Sequence, residues 1–281
     1  MVNFNGTIQS TSQNQLTFDN RGFKFGDALF ETIRVINGKV IFAEEHYLRL
    51  MASMRILRME IPMSFTLEFF EAEILKLIEA QQLSKLAVRV RFNVYRNDGG
   101  LYTPSTNDVS YYIEVKRLKN PFYTIDDAAY EVDLYKDFYS APGLLSSLKT
   151  NNKSLQVVGS IFASENDLQN CLLLNTSKNV VEALNGNIFL LKKNVIKTPP
   201  ILDGCINGIA RKQLLKILKN LEGYTLEETS ISPFELQKAD ELFITNTVIG
   251  IQPITKYRKK TYTTDFAKSL VGKLNAAARL S

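Results

Sequence analysis

Histidine occurs once in the 281 residues, at His46, and cysteine twice, at Cys171 and Cys205. A single imidazole excludes HExxH zinc sites, multi-histidine metal centres, two-histidine nuclease schemes and most Cys/His arrangements. A Ser-His-Asp triad would have to use His46 itself. Neither cysteine belongs to a CxxC pair or to any metal-ligand spacing, so both read as free thiols in a reducing cytoplasm, and no metal is expected. Long apolar runs are missing as well: nothing approaches the roughly 18 uninterrupted apolar residues of a membrane span. The opening MVNFNGTIQSTSQNQ has neither a basic n-region nor an apolar h-region, so a secretory signal is not expected and a cytoplasmic location is. Excess charge is small. Lys+Arg of 34 against Asp+Glu of 29 leaves +5, spread along the chain. The basic runs KRLK (116–119) and RKK (258–260) carry no RNP, zinc-finger or basic-helix pattern, so nucleic acid is not an expected partner. A mild positive balance suits anionic small molecules better.

What is present describes a soluble globular protein, 45% hydrophobic and 22% charged. At roughly 150 residues per domain the length corresponds to about two domains. In ETIRVINGKVIFAE (31–44), Asn37-Gly38 is a two-residue hairpin signal between short strands. Tyr47, Leu50, Met51, Met54 and Leu57 then recur at helical spacing until Pro62, and FTLEFFEAEILKLIEAQQL (65–83) reads as a second helix. The strand LAVRVRFNVY (86–95) puts Val88, Val90, Phe92 and Val94 on one face and Arg89, Arg91, Asn93 and Tyr95 on the other. That second face is either a solvated exterior or the lining of a polar cavity, with an arginine aimed at a substrate carboxylate. A strand SYYIEVKRL (110–118) ends at Lys119-Asn120-Pro121, which breaks both helix and strand. The expected organisation is therefore a smaller α+β N-terminal domain over 1–118, a linker over 119–124, and a larger C-terminal domain over 125–281. The second domain opens with a strand, EVDLYKD, and a helix is expected over 154–167. Strands at CLLLN, VVEAL, NIFLL and VIKTP follow, then a helix from Gly208, a strand ELFITN and a terminal helix from Asp265.

Four features could carry chemistry. Gly208-Ile209-Ala210 opens a helix after a glycine-containing loop, where free backbone N–H groups and the helix dipole favour an anion such as phosphate; an ordinary helix start is the alternative. Glu182 stands in the apolar run VVEAL, and is either turned to solvent by alternation or buried and in need of a cation. Lys149 lies among small residues just before a helix, where burial or nearby positive charge could prepare it as a nucleophile; most lysines are simply solvated. Thr245 and Thr247 flank Asn246 at the end of an apolar strand, a place where loops carry ligand contacts or merely turn.

In order, the chain contains RGFKFGDALFETIRVINGK, EEHYLRL, SLKTNN, VVEALNGNIF, TPPILDGCINGIAR and ELFITNTVIGIQPI. This set resembles the fold-type IV, class IV aminotransferase family of pyridoxal-phosphate enzymes, which includes D-amino acid and branched-chain aminotransferases and aminodeoxychorismate lyase. The resemblance implies the D-amino acid aminotransferase-like two-domain fold, with pyridoxal 5'-phosphate in the cleft between domains, and a homodimer whose sites lie near the subunit interface. It makes Lys149 the Schiff-base lysine and proton carrier, Glu182 the acid facing the pyridine nitrogen, and Arg49 of HYLRL a phosphate ligand. Ile209 and Ala210 would bind phosphate through backbone N–H groups and Thr247 through its side of the turn that also holds Asn246. Ile206 would support the cofactor ring, and Asn187 matches an asparagine of structural role. Phe30 and Arg91 would face the substrate, a small molecule bearing an amino group. The chain also departs from family patterns. FGDALFE has Phe30 where D-amino acid aminotransferases have tyrosine, GIAR replaces GITR, and NDGGLYTP has no SPRNH-like loop. FGDALFET and ITNTVIGIQPI resemble the lyase versions more closely, so the leading expectation is aminodeoxychorismate lyase. Branched-chain or D-amino acid aminotransferase is the alternative, with a non-catalytic cofactor-binding protein behind both.

Overall fold

The computed structural model describes residues 1–13 and 16–281, and the chain divides into two compact units. The first comprises Met1–Pro121 together with Lys149–Asn152 and Ser281; the second comprises Phe122–Leu148 and Lys153–Leu280. No described helix is long and apolar enough to cross a membrane.

The first unit contains β1 (Val2–Phe4), β2 (Thr7–Gln9), α1 (Arg21–Phe25), β3 (Ala28–Ile36), β4 (Lys39–Val40), α2 (Ala43–Ile56), α3 (Leu67–Ala80), β5 (Ala87–Arg96) and β6 (Val109–Arg117). Its strands form one sheet in the order β2-β1-β6-β5-β3-β4. Asn37 and Gly38 both adopt positive φ, 49° and 75°, as a tight primed turn between β3 and β4 requires. One face of the sheet is apolar. Leu29, Ile33 and Val35 of β3 and Val88, Val90, Phe92 and Val94 of β5 are all buried there, with Leu50 and Met54 of α2 and Phe70, Ile74 and Leu77 of α3 also buried. α3 starts cleanly because the Thr66 side chain accepts from the Phe69 N–H.

The opposite face of β5 is not a solvated exterior. Asn93 and Tyr95 are buried and Arg89 and Arg91 half-buried. Lys149–Asn152, expected in the second domain, belong to the first unit instead. β4 pairs only with Val35 and Ile36, which leaves the beginning of β3 open at its edge. The segment fills that edge: Phe30 N–H donates to the Lys149 carbonyl and Asn151 N–H to the Ala28 carbonyl, each at 2.9 Å.

The second unit holds β7 (Glu131–Ser140), α4 (Ser154–Glu165), β8 (Asn170–Asn175), β9 (Val180–Ala183), β10 (Asn187–Lys192), β11 (Val195–Thr198), α5 (Ile209–Lys219) and β12 (Thr225–Glu228). It ends with α6 (Pro233–Leu236), β13 (Glu241–Asn246), β14 (Gly250–Ile254), β15 (Lys256–Tyr257), β16 (Lys260–Thr261) and α7 (Asp265–Leu280). Two five-stranded sheets result, β12-β11-β10-β13-β14 and β16-β15-β7-β8-β9. A shared core packs Leu172, Leu174 and Val180 of one against Ile188, Leu190, Leu242 and Ile244 of the other. Because both sheets contribute, β8, β9 and β10 are buried along nearly their whole length, which explains their uninterrupted apolar sequences.

Candidate active site

In the first unit, β3 turns Glu31 toward α2, since it shares the parity of Leu29 and Ile33. α2 presents His46 and Arg49, three residues apart and so on one helix face. His46 Nδ1 lies 2.7 Å from Glu31 Oε2, Arg49 Nε donates to Oε1 at 2.8 Å, and Arg49 Nη2 donates to Oε2. Burial by itself would raise the Glu31 pKa; the Arg49 guanidinium and the His46 contact outweigh it and hold the carboxyl at about 2. His46 is pushed down, first by burial, with Arg49 and Lys149 adding to the effect and Glu31 opposing it. An ionised Glu31 needs a donor, so Nδ1 carries the imidazole proton. His46 Nε2 is buried with no hydrogen-bond partner among the described residues, so no serine hydroxyl completes a triad on it.

Lys149 lies at the sheet edge with its Nζ 4.6 Å from the centroid of the Phe30 ring. The Arg91 guanidinium carbon is 3.9 Å from the same centroid. Its Nε donates to Asn93 Oδ1 at 3.1 Å, and its Nη2 reaches Asn151 Oδ1 at 3.4 Å. The first unit therefore brings Lys149, Phe30 and Arg91 together on one face of the sheet, while Arg49 stands on the α2 side.

In the second unit, Glu182 is 7% exposed on β9, opposite Leu173 of β8, so it does not point to solvent. Its Oε2 accepts from the Ile206 N–H at 3.0 Å. The Ile206 carbonyl in turn accepts from Asn187 Nδ2 at 2.8 Å, which ties the loop before α5 to β9 and β10. α5 begins at Ile209 with Gly208 as its N-cap, and no side chain caps its first turn. Gly208 is required there: a Cβ would stand 2.0 Å from Asn187 Oδ1. Ile209 and Ala210 are buried. At the end of β13, Asn246 Oδ1 accepts from the Val248 and Ile249 N–H groups at 3.0 Å each, and its Nδ2 donates to the Asn185 carbonyl at 3.0 Å. Thr247 is buried in this turn, and its carbonyl accepts from the Tyr123 hydroxyl at 3.1 Å. Thr245 spends its hydroxyl on the Gly250 carbonyl, 2.7 Å away. Glu182 thus meets Ile206 in the loop that leads into Ile209 and Ala210, and Asn246 bonds Asn185 in the turn between β9 and β10. Cys171 and Cys205 are buried free thiols, which burial pushes up to about 11 and about 12 respectively.

Glu31 and Asn151 escaped the sequence reading, which placed Asn93 on the polar face of its strand without a role. A signal existed for Glu31: an acid with the parity of Leu29, Ile33 and Val35 faces a core and needs cations, as was argued for Glu182. Asn93 and Asn151 are recognisable only once the register sets them beside Arg91.

The sequence profile described as amino-transferase class IV matches residues 28–257. The D-alanine aminotransferase of Bacillus licheniformis is 27% identical over 272 residues, which cover 92% of this chain and 89% of that protein. Among solved structures, the branched-chain aminotransferase of Thermoproteus uzoniensis is similar with a TM-score of 0.85 at 22% identity, covering 99% of this chain and 93% of its own. A Legionella pneumophila protein provisionally named 4-amino-4-deoxychorismate lyase has a TM-score of 0.83 at 23% identity, covering 96% and 98%. These structures share the fold, the one the six motifs implied. Since the profile spans well over half the sequence and takes in Phe30, Lys149, Glu182 and the start of α5, the chain belongs to the class IV aminotransferase family, enzymes whose cofactor is pyridoxal phosphate.

Proposed function

We propose that the protein is a 4-amino-4-deoxychorismate lyase, releasing pyruvate and 4-aminobenzoate. The residues present suit pyridoxal phosphate. Lys149 supplies a primary amine for its aldehyde, Glu182 a buried carboxylate for its pyridine nitrogen, and the first turn of α5, which no side chain caps, donors for its phosphate. When bound, the cofactor supplies an electron sink for the carbon that carries the substrate amine. Glu182, held by the Ile206 N–H, would keep the ring nitrogen protonated. In this reading Arg49, oriented by its two contacts to Glu31, would be a phosphate ligand of the first unit, while in the second the N–H groups of Ile209 and Ala210, with Thr247 and Asn246, would serve the phosphate and Ile206 would support the ring. Lys149 Nζ removes the proton from the amine-bearing carbon. In a lyase Lys149 would deliver that proton to the departing pyruvate unit; in a transaminase it would not.

Asn246 carries the lyase reading. It is the residue through which ITNTVIGIQPI resembles the lyase motif, and three hydrogen bonds make its side chain the organiser of the turn that presents Thr247. The relatives among D-alanine and branched-chain aminotransferases favour transamination as the second reading. Incubation with aminodeoxychorismate, and separately with D- or L-amino acids plus 2-oxoglutarate, decides between them: 4-aminobenzoate is the expected product, and glutamate formation without 4-aminobenzoate overturns the lyase assignment. A cytoplasmic homodimer accompanies this reading, and sedimentation of a species twice the chain mass is its test.

A further inference from the structure

The turn that follows β13 is fixed from two sides. On one side stands Asn246, whose Oδ1 accepts from the Val248 and Ile249 N–H groups. On the other stands Tyr123, the second residue of the second unit, whose hydroxyl donates to the Thr247 carbonyl at 3.1 Å in a buried contact. The two side chains therefore hold one peptide unit at both ends: the Thr247 carbonyl goes to Tyr123 and the Val248 N–H to Asn246. A peptide unit is planar, so fixing both of its polar groups removes the rotation by which the turn could re-aim Thr247.

Tyr123 is itself anchored. Its backbone N–H donates to Asn275 Oδ1 and its carbonyl accepts from Asn275 Nδ2, each at 2.9 Å, which clamps it to α7. Its ring lies against Gly250, the residue that opens β14: a Cβ there would stand 2.6 Å from Tyr123 Cγ and Cδ1. Gly250 also has a φ of 78°, pairs with Asn246 across the turn and takes the Thr245 hydroxyl on its carbonyl. Close approach and backbone conformation both call for glycine at this place. A phenylalanine ring would pack on Gly250 as well as tyrosine does, so what the Tyr123 hydroxyl adds is its bond to Thr247.

We propose that Tyr123 is a positioning residue for anion binding: through its hydroxyl bond to the Thr247 carbonyl it holds the β13–β14 turn in the shape that lets Thr247 meet a phosphate. The inference rests on the proposed reading of Thr247 as a phosphate ligand and adds the residue that keeps it in place.

Tyr123→Phe removes the hydroxyl and keeps the ring. In titrations of the apoprotein, the variant is expected to bind pyridoxal phosphate roughly three- to tenfold more weakly than the wild type, the range of one neutral hydrogen bond. Pyridoxal, which has the aldehyde and the ring nitrogen but no phosphate, is expected to bind both proteins alike. A merely structural Tyr123 lowers the melting temperature and leaves the ratio of the two affinities at its wild-type value, and that result overturns the proposal. Should Tyr123→Phe not fold, Asn275→Ala carries the same comparison with the same expected direction, since it removes both bonds to the Tyr123 backbone and leaves the hydroxyl and the turn intact. If the wild type takes up no pyridoxal phosphate, the proposed function fails, and inorganic phosphate decides the role of Tyr123 instead. It is expected to raise the melting temperature of the wild type more than that of the variant. Equal shifts in the two proteins, or none in the wild type, then overturn the proposal.

Discussion

Replacing Glu31 by glutamine removes one charge from the interior of the first unit and changes little else in shape. In the native chain the Glu31 carboxyl is held at about 2 against an ordinary 4.5, burial being outweighed by Arg49 and His46. A carboxyl more acidic in the folded than in the unfolded state contributes stability above its unfolded pKa and loses it as pH falls toward the folded one. At about 1.4 kcal/mol per pH unit, the interval from 4.5 to 2 is worth about 3 kcal/mol, of which about 2 kcal/mol is gone by pH 3. His46 acts in the same direction. Its pKa lies below 6.5 in the fold, so acidification below that value favours the unfolded chain, which protonates first. In Glu31→Gln the partly buried Arg49, 12% exposed, loses its counter-ion, a change whose upper bound is the roughly 3–5 kcal/mol that breaking a fully buried pair costs. Urea denaturation is the assay, followed by far-UV circular dichroism because the chain has 0 Trp. The variant is expected to be less stable at pH 7, and its midpoint is expected to vary less than that of the wild type between pH 5 and pH 3. Parallel midpoint curves below pH 5 would refute the assignment of Glu31 as an ionised partner of Arg49.

Arg49→Ala is expected to weaken pyridoxal-phosphate binding by roughly one to two orders of magnitude, the worth of a charged hydrogen bond, as read by titration of the apoprotein. It is also expected to lower stability, since it strands Glu31; unchanged cofactor affinity removes Arg49 from the phosphate site. Glu182→Gln is expected to keep the cofactor and lose turnover by orders of magnitude, a defect in chemistry more than in binding; near-normal turnover with cofactor bound would refute its role opposite the ring nitrogen. Gly208→Ala must displace Asn187, whose oxygen would lie 2.0 Å from the new Cβ, and through it the Ile206 carbonyl. It is expected to cost about 1–3 kcal/mol and at least tenfold in cofactor affinity, measured by thermal melting and titration; a neutral result shows that the loop before α5 tolerates rearrangement.

Period and punctuation were enough for what depends on neighbours in the chain. Asn37-Gly38 specifies its turn because few other residues tolerate positive φ at two successive positions, whereas α3, expected over 65–83, runs only over Leu67–Ala80, its start set by the Thr66 side chain accepting from Phe69 N–H. The start of α5 after Gly208 was legible from punctuation. The burial of Glu182 was not. VVEAL is a strand buried on both faces, so alternation says nothing about which way an acid points, and only the pairing of β9 with β8 between two sheets decides it. Tertiary structure alone also removed Lys149 from the half of the chain that sequence order gives it. The open edge of β3 has unpaired backbone groups that the segment from Lys149 satisfies, and hydrogen bonding across 119 positions outweighs proximity along the chain. Arg91 could be suspected from its strand, but the bond of Tyr123 to Thr247 could not, because a contact between residues 124 positions apart is a property of what surrounds a side chain and has no signature in the order of residues.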